Sequence, residues 1–311
     1  MIRTRILGTG RGVPPKVLTN HDLEKLVDTS DAWISERTGI RERRVLDESL
    51  TTSDLSAEAA RNALDAAGVA PSELDCILVG TVTPDMPMPA SAVILQKKLG
   101  AGPCPAFDLS AACAGFIYGL GMADAFIRGG QYRRVLVVGV EILTRVLEWT
   151  DRNTCVLFGD GAGAVVLGPE EDGRGLYSTH LQADGNLWEA LYQRTGGKVK
   201  MAGRQVFSQA VKNISSSCMI TLDHNGKTAA DVDLVVAHQA NLRILEAVAH
   251  RCGLPMSKFY LNIHKYGNTS SASIPIALDE AVRDGTVSDG MTILMCALGA
   301  GLSWGSALYR W

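Results

Sequence analysis

The chain carries a faint copy of itself. The run Ser72-Glu73-Leu74-Asp75-Cys76-Ile77-Leu78-Val79 is answered by Ala230-Asp231-Val232-Asp233-Leu234-Val235-Val236, with Asp75 and Asp233 158 residues apart. The segment from Cys113 to Arg128-Gly129-Gly130 is answered by Asn268 to Arg283-Asp284-Gly285, with Arg128 and Arg283 155 apart. Val135-Leu136-Val137-Val138 finds its counterpart in Thr292-Ile293-Leu294-Met295. Two similar halves imply a duplicated unit about a pseudo-twofold axis. Such an axis brings equivalent helix starts together, which predicts Cys113 and Asn268 in equivalent, facing places. A polar stretch at 169–175, rich in Glu170, Glu171 and Asp172, marks the junction, so the halves are 1–170 and 175–311.

Within the halves, strands alternate with helices, the pattern of α/β layering with central strands buried on both faces. A first strand is expected over 2–8, then a loop at Gly8, Gly10, Gly12, Pro14 and Pro15. Asn20 is placed to cap a helix from His21, helped by Glu24, and Ser53 to cap an alanine-rich helix reaching Ala67. Further strands are expected over 74–82 and 135–140, and helices over 90–100 and 114–128. The stretch 158–167 reads as a glycine turn feeding an edge strand. Its GxGxG precedes a strand instead of a helix, so it lacks the helix N-terminus that a dinucleotide loop needs.

Net charge is −3, which gives no reason to expect nucleic-acid binding. The seven cysteines are odd in number and contain no CxxC pair, so neither a zinc site nor a disulfide framework is indicated, and a reducing cytoplasm is expected. Residues 1–8 lack a secretory apolar core, and no apolar run approaches about 18 residues, so no membrane span is expected.

Polar residues in apolar surroundings supply the candidates for chemistry. Cys113 sits in Asp108-Leu109-Ser110-Ala111-Ala112-Cys113-Ala114-Gly115-Phe116, a strand end, a small-residue turn and a helix start. The positive end of that helix is expected to stabilise a thiolate, the nucleophilic form. A buried structural cysteine is the plain alternative. His238 closes the apolar strand Asp233-Leu234-Val235-Val236-Ala237, where α/β proteins build sites. Asn268 opens a helix, as a cap or as a hydrogen-bond donor. Trp33 lies among Arg37, Arg41, Arg43 and Arg44, a grouping suited to an adenine ring and phosphates, or simply a solvated basic helix. The GxSxG at 301–305 is rejected as a hydrolase elbow, because no helix and no His, Asp or Glu follows Ser303.

In combination, DTSDAWISERTGIRERR, DLSAACAGFIYGL, TDRNTCVLFGDGAGAVVLG, AHQANLRIL, YGNTSSASIPIALDEA and GLSWGSALYRW resemble the β-ketoacyl-acyl-carrier-protein synthase III family over nearly the whole chain. The resemblance implies an α/β thiolase-like fold, two pseudo-symmetric halves in a layered αβαβα arrangement. It implies a fatty-acid-initiating condensation of an acyl-CoA primer with malonyl-acyl carrier protein through an acyl-Cys113 intermediate, with His238 and Asn268 assisting decarboxylation. The backbone N–H groups of Cys113 and Ala300 would form the oxyanion hole. Trp33 and Arg152 would sandwich the CoA adenine, Arg37 and Thr38 would help hold the nucleotide, and Met201, Phe207, Ala240 and Asn241 would line the pantetheine tunnel. Arg243, His250 and Arg251 would meet the carrier protein, and Met88 would close the acyl pocket of a homodimer partner. No cofactor and no metal is implied. The sequence departs from the family at Ala300, in place of the middle of three glycines, at Ser208 in place of a lysine, and at Met88 in place of a phenylalanine. A secondary-metabolism relative with another acceptor, an acyltransferase and a non-enzymatic binding protein of the same fold are the competing readings.

Overall fold

The computed structural model describes residues 2–311. β1 (Arg3–Gly12) runs on through Gly8 and Gly10, where a loop is expected from the sequence. A Cβ on Gly8 would stand 2.4 Å from the Ala63 carbonyl oxygen, and one on Gly10 2.3 Å from that of Ala59. The glycines therefore stay in the strand so that an alanine-rich helix can lie directly against it. A ribbon of β2 (Lys16–Thr19) and β3 (Glu42–Val45) encloses α1 (Asn20–Leu23) and α2 (Asp31–Thr38). The first half continues with α3 (Thr52–Ala67), β4 (Cys76–Gly80), α4 (Ser91–Leu99), β5 (Ala106–Leu109), α5 (Gly115–Arg128), β6 (Val135–Ile142) and β7 (Asp160–Glu170). The second half holds β8 (Gly175–Ala183), a short ribbon of β9 (Leu191–Tyr192) and β10 (Lys200–Met201), then α6 (Gly203–His224), β11 (Leu234–Ala237) and α7 (Leu242–Cys252). It ends with α8 (Ile263–Tyr266), α9 (Ser273–Arg283), β12 (Thr292–Gly299) and β13 (Ser303–Arg310).

The first sheet has the order β1-β7-β6-β4-β5, and the second, read the same way, β8-β13-β12-β11. A parallel bridge from Val235 to Phe259 stands where the second sheet's fifth strand would be. Phe116, Ile117 and Leu120 of α5 and Ile274, Ala277 and Leu278 of α9 share one core with residues of both sheets, so these two helices form the middle layer. α3 and α4 cover the outer face of the first sheet, and α6 and α7 that of the second. The layers are αβαβα, and strands clad on both sides explain the unbroken apolar runs in the sequence.

Three local expectations are corrected. β7 is no edge strand. It pairs with β1 along one edge and β6 along the other, and Gly161 and Gly163 let α9 press onto its face, Gly163 so closely that a Cβ would stand 2.7 Å from the Ile276 nitrogen. α1 is a single turn capped by Thr19 with Asp22, while the Asn20 side chain donates 2.8 Å to the Ile40 carbonyl. α3 is capped by Thr51 with Asp54, and Ser53 donates instead to Asp85 at 2.7 Å.

The repeat also corrects the expected pairing of Cys113 with Asn268. α5 and α9 are each entered through one 3-10 turn, Ala112–Ala114 and Ser270–Ala272. The first residue of each turn has positive φ, +46° at Ala112 and +52° at Ser270. Cys113 therefore corresponds to Ser271, and Asn268 to Ser110. The shift arises because α9 has 11 residues and α5 has 14, so an alignment anchored at the helix ends slips at their starts.

Candidate active site

Cys113, His238 and Asn268 line one cavity of about 560 Å³. Cys113 reaches it from the turn ahead of α5. His238 follows β11, held by its N–H donating to the Cys296 carbonyl at 2.8 Å. Asn268 is fixed by backbone pairing, its N–H donating to the Leu157 carbonyl at 2.8 Å and its carbonyl accepting from Gly159 N–H at 3.0 Å. All three are buried. Both helix entrances thus converge on one point, although they do so through unequal positions of the repeat.

Cys113 also lines a second cavity, of about 850 Å³, with Val82, Met86, Leu143, Trp188 and Leu191 among its apolar walls. The sulfur stands at the seam of the two. Gly299 ends β12 against it, and a Cβ there would lie 2.5 Å from the Cys113 nitrogen. Gly301 has φ +133°, which only glycine adopts comfortably. Ala300, between them, lines the larger cavity without a positive φ. The two positions that exclude a side chain are the two that remain glycine.

The resting thiol is not the thiolate expected from a helix start. Burial pushes Cys113 up to about 12, and the nearby Glu141 carboxylate adds to the rise while the Ser270 hydroxyl opposes it. The residue lies in the 3-10 turn just ahead of α5, where loss of water outweighs the favourable helix end. Burial also holds His238 neutral, down to about 3. Its Nδ1 lies 2.7 Å from Ser273 Oγ, which already accepts the Gln239 N–H at 3.2 Å. With the Ser273 hydroxyl donating to Nδ1, the ring proton is on Nε2, on the cavity side. The Asn268 side-chain oxygen accepts from Ser270 N–H at 2.8 Å, which leaves its Nδ2 as a donor for the cavity. Two neutral donors thus stand beside one sulfur.

The mouth is formed by Trp33, Arg37, Arg152, Arg204 and Arg243, and the walls include Met201, Phe207, Ala240 and Asn241. The Arg37 and Arg152 guanidinium carbons lie 4.8 and 5.1 Å from the Trp33 ring centre. Stacking an adenine between Trp33 and Arg152 needs about 7 Å, two van der Waals layers, so Arg152 must swing outward. Its bond to the Asp28 carbonyl, 2.9 Å at the surface, is a weak restraint.

Several expected residues have other tasks. Arg43 is fully buried and donates to Asn20 Oδ1 and the Val156 carbonyl, both at 2.9 Å. Arg44 pairs with Glu42. Of the four arginines near Trp33 in sequence, Arg37 alone lines the cavity, because the chain turns at Gly39 into β3 and carries the others away. Thr38 lines the cavity, but its hydroxyl is committed to the Ile34 carbonyl at 2.6 Å and the Ile40 N–H at 3.0 Å. Asn241 caps α7 by accepting from Arg243 N–H at 2.9 Å. His250 and Arg251 sit in the last turn of α7, about 10 Å along the helix from Arg243. Met88 is 84% exposed and lines neither cavity of its own chain. Sequence reasoning missed Ser270, Ser273 and Glu141. The serines lie in Thr269-Ser270-Ser271-Ala272-Ser273, where a cluster of hydroxyls at the head of an apolar helix was the available signal.

Two half-chains of repeated design sharing a pair of inner helices, with a cysteine, a histidine and an asparagine on one cavity, define a condensing enzyme of the thiolase fold. Residues 107–185 match the model of 3-oxoacyl-[acyl-carrier-protein (ACP)] synthase III, and residues 222–311 match that of its C-terminal part. The chain belongs to the β-ketoacyl-acyl-carrier-protein synthase III family. It is 52% identical to the synthase III of Xanthomonas campestris pv. campestris, over 100% of this chain and 99% of the relative. The synthase III of Caldanaerobacter subterraneus subsp. tengcongensis is 50% identical, over 100% and 98%. The crystal structure of the Aquifex aeolicus synthase III superposes with a TM-score of 0.97 at 48% identity, covering 99% of this chain and 100% of that one.

Proposed function

We propose that the protein condenses an acyl-CoA primer with malonyl-acyl carrier protein, releasing CO2 and CoA and beginning fatty-acid synthesis. The observation that carries this reading is the cavity that runs from a cationic, Trp33-bearing mouth to one sulfur flanked by two neutral donors. CoA docks at the mouth, with its phosphates on Arg37, Arg152 and Arg204, and its pantetheine passes Met201, Phe207 and Ala240. Cys113 attacks the thioester, and the N–H groups of Cys113 and Ala300 take the oxyanion. The acyl chain lies in the larger cavity. After CoA leaves, the malonyl thioester enters the same tunnel, its carbonyl between His238 Nε2–H and Asn268 Nδ2. Neutral donors suit the enolate formed on loss of CO2. The enolate attacks the acyl carbon and restores Cys113. No metal or prosthetic group takes part in this scheme, because the sulfur carries the acyl group.

Arg243, at the mouth, is the first contact proposed for the acidic carrier protein, with His250 and Arg251 as a second patch further along α7. A homodimer fits the free edge of β5 and the exposed Met86, Met88 and Val93 of α4 and the loop ahead of it. Met88 of one subunit would then close the larger cavity of the other. Seven unpaired cysteines suit a cytoplasmic location.

The test is product analysis with acyl-CoA and malonyl-acyl carrier protein. The expected result is CO2 release and a 3-oxoacyl-carrier protein, with an acyl mass adduct on the wild type that Cys113→Ser lacks. His238→Ala should still acylate and lose CO2 release by at least 100-fold. Acyl transfer without CO2 overturns the reading.

A further inference from the structure

Glu141, in β6, is fully buried, and among the described residues no cation stands beside its carboxylate. It accepts from Thr83 Oγ1 at 2.6 Å, from Val82 N–H at 3.1 Å, from Thr81 Oγ1 at 3.3 Å and from Ser270 Oγ at 3.3 Å. Three of these partners anchor the loop after β4. The fourth leads to the active site, because Ser270 and Cys113 line the same cavity and the Ser270 hydroxyl favours the thiolate there. Ser270 has φ +52°, the left-handed conformation that Ala112 also takes at the other helix entrance. Ser270 therefore connects the cavity that holds the sulfur with a buried carboxylate.

We propose that Ser270 and Glu141 form a proton relay that accepts the Cys113 proton when the acyl thioester is attacked and returns it when the sulfur is released. The proposal rests on Cys113 being the acylated residue, as set out above. In the first half-reaction the S–H bond breaks as the bond from sulfur to the acyl carbon forms. The thiol proton passes to Ser270 Oγ while that hydroxyl's own proton passes to Glu141 Oε1. The C–S bond to CoA then breaks, and the electron pair leaves on the CoA sulfur, which takes a proton from water at the tunnel mouth. In the second half-reaction the enolate carbon bonds to the acyl carbon and the Cys113 sulfur leaves as thiolate. Glu141 gives its proton back through Ser270, and both groups are restored.

The chemistry calls for such a group. With the thiol raised to about 12, a thiolate is scarce near neutral pH, and burial leaves His238 too weak a base to hold the proton. Burial lifts Glu141 to about 7, where it can both take and give a proton. Cys113 is the titratable group that faces it from the turn ahead of α5. On β7, Asp160 is occupied by Leu46 N–H and Thr144, and beyond the β4 loop Asp85 is occupied by Ser53. α9 and its entrance turn present only the hydroxyls of Ser270 and Ser271 on this side.

The experiment is the rate of acyl-adduct formation on the full chain from acyl-CoA, followed by mass across pH 5.5 to 9, with Glu141→Gln, Glu141→Asp and Ser270→Ala. The wild-type rate should rise through an inflection near 7. Glu141→Gln and Ser270→Ala should each slow acylation by about 100-fold and lose that inflection, and Glu141→Asp should restore it in part. A purely electrostatic or loop-anchoring Glu141 gives the opposite sign, because removing its charge favours the thiolate. An acylation rate equal to or above wild type in Glu141→Gln, with the inflection intact, overturns the relay. Ser270→Ala leaves the loop-anchoring bonds of Glu141 in place, so it decides the matter should Glu141→Gln misfold. Absence of any adduct on the wild type overturns the nucleophile and the relay together, whereas an adduct indifferent to all three variants overturns the relay alone.

Discussion

Burial sets the protonation of the site residues more strongly than any single neighbour does. His238 falls from its ordinary 6.5 to about 3, and Glu141 rises from 4.5 to about 7, so each prefers its neutral form. Their effects on stability have opposite signs. Between pH 3 and 6.5 the unfolded chain binds a proton at His238 that the folded chain refuses, so stability is lost as pH falls through that window. Between pH 4.5 and 7 the folded chain keeps a proton on Glu141 that the unfolded chain releases, so stability is lost as pH rises through that one. The two offset each other where the windows overlap and part below 4.5. Denaturant titrations of His238→Gln should show a shallower loss of stability from pH 4.5 to 3 than wild type, and those of Glu141→Gln a stability that rises from pH 4.5 to 6.5, where wild type is nearly level. The sequence displayed the three polar candidates through their position at the ends of apolar runs. It hid Glu141, whose role depends on a loop and a serine 129 residues further along the chain.

At the level of elements, the glycines explain both what was legible and what was not. Strand and helix alternation, the duplicated order and the layer count were readable because buried strands and helices leave long apolar runs at fixed spacing. Gly8, Gly10, Gly161 and Gly163 misled, since in sequence a glycine cluster signals a turn and here each marks a helix pressed onto a strand. Gly10→Ala is the direct check. With a backbone oxygen 2.3 Å from the new Cβ, β1 and α3 must part, and a loss of about 1–3 kcal/mol is expected in urea unfolding, with little effect on the chemistry of Cys113. The slipped pairing of Cys113 and Asn268 has a similar origin. Helices of unequal length leave the repeat aligned at one end only, and the positive φ that marks true equivalence cannot be read from residue type at Ala112 or Ser270.

Over the whole molecule, the second sheet has no full counterpart to β5, and the first sheet ends there with an unpaired edge. Met86 and Met88, in the loop ahead of α4, and Val93, on α4 itself, are 44%, 84% and 42% exposed, apolar side chains that a monomer leaves wet. Sedimentation equilibrium should give a dimer for wild type, and Met88→Asp should weaken it measurably and leave the larger cavity open to water. Among the described residues no helix is long and apolar enough to cross a membrane. The placement of one sulfur on the wall between two chambers has a consequence for the order of events. A primer's tail can remain parked on one side while, on the other, the departing and arriving carriers take turns through a common doorway. Anything that blocks that doorway should therefore compete with both carriers alike, however long the parked tail.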